Sequence, residues 1–209
     1  MSIEGTNWNV VVAGYWNPAI LTPSGIAHRL FGLAPGTPVL IEVPVEGLAP
    51  YRVKHENLTV TAELGRLVIS ADTPRYELLE RAKQIAAKAV EGLPETPLTA
   101  AGYNVRVKVS DPGDDLFMGA QSSVDASLSD AGFAIESRGL RRALKIGDGV
   151  LNFTLQQGED VTVELNFHRQ SHDRDDLVNW LRYPINKVEE DVALILEKVL
   201  RIQVGELGK

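Results

Sequence analysis

The chain has 209 residues, of which 44% are hydrophobic and 23% charged, with no cysteine and a formal net charge of −7. That composition belongs to an ordinary globular protein and leaves no disulfide framework, thiol nucleophile or cysteine-ligated metal. The acidic balance weighs against nucleic acid as a partner, because such binding draws its strength from neutralised phosphates.

Apolar runs such as "WNVVVAGYW" fall well short of the roughly 20 residues that cross a bilayer. "MSIEGTNWN" lacks the basic start of a secretory signal, so a cytoplasmic protein without membrane contact is expected. In chain order, "WNVVVA" (8–13) is a valine-rich run that predicts a buried strand. Thr22 before Pro23 predicts a helix start, the hydroxyl capping and the proline pre-set for the first turn, with a stop at Gly32. "TPVLIEVPV" (37–45) predicts a strand that Pro44 confines to an edge or a bulge. "ENLTVTAELGRLVISAD" (56–72) alternates apolar and polar residues on both sides of Gly65 and predicts a hairpin.

Thr73 and Pro74 repeat the cap-then-proline start. The helix they open, "PRYELLERAKQIAAKAVEGL", carries Leu78, Leu79, Ala82, Ile85, Ala86, Ala89 and Val90 on one stripe and ends at Gly92. "GLPETPLTAAG" (92–102) has the composition of a linker. After it, Val105, Val107 and Val109 alternate with Arg106 and Lys108, which predicts a strand with one buried face. "SSVDASLSDAG" allows a short helix ending at Gly132, and "FAIES" and "RRALKIG" two modest strands. "GVLNFTLQQGEDVTVELNFHR" (149–169) predicts a second hairpin turning at Gly158. The stretch 173–202 is helical with an interruption at Pro184.

The two sides of residue 98 share this order. "NWNVVVAGYWNP" stands against "GYNVRVKVSDP", so that Trp8 matches Tyr103 and Asn9 matches Asn104. The two hairpins also match, each followed by the longest helix of its half. The expected fold is therefore α+β, with two similar units, 1–98 and 99–209. Each runs strand, short helix, three or four antiparallel strands and long helix, with helices covering one face of the sheet. In outline this order is similar to the saddle fold of the TATA-binding-protein type, in which two such halves share one curved sheet. The likeness is one of topology, and the acidic charge departs from that family's DNA-binding surface.

Candidate sites are few. Tyr15, Trp16 and Asn17 stand at the exit of the first strand, where an aromatic corner holds the backbone and offers a contact. Leu116, Phe117 and Met118 are large apolar residues in the acidic connection 110–123, a pattern that marks either a partner contact or a plug between the halves. His168 and His172, four apart and followed by Asp173, have some metal-ligand character. The competing reading makes Asp173 the cap of the last helix, with Asp175 and Asp176 in its first turn. "SRGLRRALK" is a local basic segment, read first as the guard of an exposed strand edge. Ile185, Val188, Val192, Ile195, Val199 and Ile202 form a heptad-like seam, which Leu196 and Leu200 widen toward packing on a sheet.

The expectation from sequence is a non-catalytic protein-binding or assembly component of a cytoplasmic complex. It takes no cofactor, and its partner is another protein, including a second copy of itself. The alternative is a small-ligand or metal-dependent enzyme with its site between the halves, near His168 and His172.

Overall fold

The structure is a computed structural model, and it describes residues 2–45, 49–110, 116, 123–158 and 160–209. Ten strands form one antiparallel sheet, with helices on one face. The strands are β1 (Ser2–Gly5), β2 (Asn9–Gly14), β3 (Leu40–Glu42), β4 (Arg52–His55), β5 (Leu58–Ala62), β6 (Arg66–Ala71), β7 (Leu98–Ser110), β8 (Gly139–Ile146), β9 (Gly149–Gln157) and β10 (Val161–Gln170). Their spatial order is β3-β4-β5-β6-β2-β7-β10-β9-β8, with β1 paired to β7 beyond the end of β2. Strands from both sides of residue 98 thus join a single sheet, and β2 meets β7 at its centre with Asn9 opposite Asn104.

Between β1 and β2 the chain kinks at Asn7, whose φ is 50°. The carbonyl of Arg106 there accepts from both Thr6 N at 2.8 Å and Trp8 Nε1 at 2.9 Å. A buried indole needs such an acceptor, and this one anchors Trp8 under the sheet.

Both predicted hairpins form, as β5–β6 and β9–β10. The Thr22 hydroxyl accepts from Gly25 N at 3.1 Å and opens α1 (Pro23–Gly25), which runs on as one wider turn over Ile26–Leu30. The strand expected over 37–45 is the short edge β3. Helix α2 (Tyr76–Gly92) buries Leu78, Leu79, Ala82, Ala86, Ala89 and Val90, and its alanines let it lie close on β2 and β6. Helices α4 (Arg174–Leu181) and α5 (Ile185–Ala193) are separated at Pro184, and α5 runs on as a wider coil over Leu194–Val199. Of the heptad-like seam, Val188, Val192, Ile195 and Ile202 are buried, whereas Val199 is exposed.

Four expectations are corrected. Thr73 does not cap α2: the cap position is Arg75, extended at φ −123° and ψ 138°. The cause is the C-terminal tail, which bridges Arg75 at Gly208 and accepts from Tyr76 N at Gly208 O, 2.9 Å. Gly208 itself has φ +76°, and a Cβ there would meet the Tyr76 ring at 2.5 Å. The linker expected over 92–102 yields at Leu98 to β7, which β2 and β10 flank on both sides. "FAIES" forms no strand, and only "RRALKI" belongs to β8. Strands β1 and β4 were not foreseen as separate elements. Helix α3 (Ser123–Asp130) does form, and Gly132 beyond it has φ +87°.

Candidate functional site

The residues singled out at the first corner play different parts. Trp16 is 1% exposed and donates from Nε1 to Val12 O at 2.9 Å, so its indole belongs to the core and offers no contact surface. Asn17 holds the turn, its Oδ1 accepting from Ala19 N at 3.0 Å. Tyr15 is the exposed aromatic of the corner, at 70%. Leu116 is half-buried against the core, while Phe117 and Met118 lie outside the described residues. The corner follows β2 where that strand pairs with Leu98, and the connection starts at Ser110, the other end of the 13-residue β7.

His168 lies on the helix-free face of β10, opposite Gly102. The Nδ1 of His172 sits 2.8 Å from Leu98 O. Asp173 caps α4, its Oδ1 accepting from Asp175 N at 2.8 Å and Asp176 N at 3.2 Å. Among the described residues no three His, Asp or Glu side chains come together to hold a metal.

What the sheet does assemble is a polar row. With one face under the helices, every second residue of each strand turns to the other face. The registers align Lys54, Thr59, Ser70, Asn9, Asn104, Asn166 and Asn152 across seven strands, from β4 to β9. The four asparagines form a ladder of one polarity. Asn152 Nδ2 donates to Asn166 Oδ1 at 2.9 Å, Asn166 to Asn104 at 2.7 Å, and Asn104 to Asn9 at 2.7 Å.

Asparagine is disfavoured in strands, so four on one row are held there by one another. Each amide has two N–H donors and a carbonyl, and the ladder occupies one donor and one acceptor of each interior member. In the sequence the signal was partial: Asn9 matches Asn104 and "LNF" occurs twice, but only strand pairing puts all four in line.

Beside the ladder, over the first half, lies an open groove of about 990 Å³. Its floor includes Val11, Thr61, Val68 and Ser70, and one wall is formed by Glu42, Val43, Pro44, Ala49 and Pro50. The charges around it are paired within the site. Lys54 Nζ lies 2.8 Å from Glu42, which holds the lysine above its ordinary value, and Arg66 Nε lies 2.8 Å from Glu63. Thr59 donates to Asp72 at 2.6 Å. Across the ladder, Arg106 meets Glu164 at 2.5 Å and Lys108 meets Asp160 at 2.6 Å. The Lys108 and Ser110 hydrogen bonds hold the Asp160 carboxyl below the usual carboxylate range. The groove and the ladder beside it therefore offer amides and hydroxyls with little unpaired charge.

Beneath the sheet, Lys83 is fully buried in α2. It donates to Glu80 at 3.1 Å and to the Tyr183 carbonyl, and lies 5.1 Å from the Tyr103 ring centroid. Loss of solvent lowers its pKa, with Glu80 opposing. The ammonium has no path to a ligand and acts as a strut between α2 and the Pro184 break. Among the described residues no helix is long and apolar enough to cross a membrane. No family model and no curated protein matches the sequence.

Proposed function

We propose that the chain is a non-catalytic component of a protein assembly, holding an extended stretch of a partner polypeptide in the groove on its helix-free face. The observation behind this reading is the asparagine row beside a groove whose charges are already paired. A side-chain amide carries the same donor and acceptor as a peptide group. A groove with neutralised walls favours a neutral backbone over an ionic ligand. Val43, exposed in the groove's wall, supplies the kind of non-polar contact that protein partners use. His172 sits against Leu98 O and Asp173 caps α4, local roles that favour this reading over the enzyme alternative.

The test is to fill the groove. Val68 faces it from the sheet, where Val68→Arg projects into open space. With the chain as bait in native extract, the parent protein is expected to retain a partner at defined stoichiometry by native mass. The arginine variant is expected to lose that partner while its melting temperature stays within a few degrees. An unchanged partner set on the folded variant rules the groove out.

A further inference from the structure

The sheet ends on β8, and this edge differs from the rest of the molecule in three respects. The first is its bare backbone. Arg138 O accepts from Gln157 N at 2.8 Å, which fixes the phase of the β8–β9 ladder. Residues 140, 142, 144 and 146 then turn their N–H and C=O toward β9. Gly139, Arg141, Ala143 and Lys145 turn theirs outward, where no strand follows among the described residues and the Arg141 carbonyl accepts only from Arg142 Nη1 at 2.8 Å.

The second is charge. Arg138 is tied to Asp125 at 2.8 Å, but Arg141, Arg142 and Lys145 are exposed and enter no ion pair among the described residues. Three unpaired cations on one strand are conspicuous in a chain of net charge −7. The third is an apolar margin. Leu140 and Leu144 alternate with Arg142 on the helix side of the strand, and Leu144 is 42% exposed. Helix α3, which precedes β8, buries none of its own residues.

Charges on an edge strand also guard against unwanted pairing. Here they guard selectively. Two β8 strands paired with each other would set cations among cations, which disfavours a second copy of this edge. A strand bearing carboxylates meets no such barrier.

We propose that β8 docks an acidic, extended segment of a partner protein, which joins the sheet as a further antiparallel strand. The side chains define its pattern. Carboxylates stand opposite Lys145, Arg142 and Arg141, apolar residues opposite Leu144 and Leu140, and a small residue opposite Ala143. Read from its own N-terminus, such a segment is Glu-Val-Thr-Glu-Glu-Val. This surface is separate from the groove and stands whether or not the groove is occupied.

The test uses that hexapeptide, acetylated, amidated and fluorescein-labelled, with the full-length protein. Saturable binding is expected by anisotropy, weakened about tenfold or more in Arg141→Glu/Lys145→Glu. N-methylation at the third and fifth peptide residues, whose N–H groups face β8, abolishes binding. Methylation at the second and fourth residues, whose N–H groups face away, leaves it intact. This pair of peptides reads strand addition on the unaltered protein, free of any folding defect in a variant.

Absence of binding, or equal binding by both methylated peptides, overturns the proposal. So does tighter binding of an eight-nucleotide oligothymidylate, which would make the edge a phosphate site. A native dimer that Arg141→Glu/Lys145→Glu dissociates would make a second copy the occupant and overturn it too.

Discussion

The two sides of the sheet finish their outer margins differently. In the first half, the short helix after the central strand is capped by Thr22 and buries Ile26 and Leu30. The edge beyond it, β3, is three residues long and ends just before Pro44. In the second half, α3 occupies the same place in the chain and buries nothing, and the edge β8 runs for eight residues with its cations exposed. Sequence explains the contrast. "IAHRLF" places Ile26 and Leu30 one turn apart, whereas "SVDASLSD" sets Val124 and Leu128 among serines and aspartates, too little apolar area to fix a helix. A docked helix accompanies a short, blunt edge, and an undocked helix accompanies a long, open one. The open half is the one equipped to accept another strand.

The largest effect expected from this contrast is on stability. Ile26→Ala removes a fully buried side chain and should cost about 3 kcal/mol in urea unfolding. Leu128→Ala in α3, at 40% exposure, should cost no more than about 0.5 kcal/mol. Comparable losses at both positions would show that α3 packs as the first helix does and would remove the asymmetry.

A smaller effect is expected at the seam between the halves. Asn104 both gives and receives a ladder hydrogen bond, one to each side, while Asn152 ends the row. Asn104→Ala should cost about 2 kcal/mol and Asn152→Ala about 1 kcal/mol, the first leaving two half-buried partners and the second one. If the two cost the same in thermal unfolding, the ladder does not act as a connected row.

Much of this was legible in the sequence where the signal is local. The hairpins followed from alternation about Gly65 and Gly158, and the stripe of α2 from three- and four-residue spacing. The start of α2 was not legible, because Arg75 is held extended by residues more than 130 positions away. Leu98 to Gly102 carried a linker's composition, and only pairing with β2 and β10 makes them strand. Trp16 was visible as an aromatic at a corner, but its inward turn depends on the Val12 carbonyl and the space beside it. For the site, Asn9 and Asn104 could be matched by eye. The groove could not, since its wall and floor come from segments that meet only across the five strands from β3 to β2.

The finest difference between the halves lies in the aromatic that precedes each central asparagine. Trp8 lies 4.8 Å from Tyr76 with the rings tilted at 56°, and it satisfies its N–H on Arg106 O. Tyr103 stacks 4.9 Å from Phe167, but its buried hydroxyl makes no hydrogen bond among the described residues. Burial raises the Tyr103 pKa, and nearby Tyr183, Asp191 and Glu80 add to the rise. Tyr76 is raised in the same direction, again chiefly by burial. A tyrosine raised in the folded state contributes stability that is fully present below its unfolded value of about 10. That contribution is lost as pH climbs through the window from there to the folded value, because only the unfolded chain then releases the proton. The melting temperature should therefore hold to about pH 9 and fall steeply above pH 10. Tyr103→Phe removes one of the two groups and one unsatisfied hydroxyl. It should raise stability at pH 7 by up to about 1 kcal/mol and flatten the alkaline decline. A variant less stable at pH 7, with the alkaline slope unchanged, would mean that the Tyr103 hydroxyl is bonded and that the two aromatics are satisfied alike.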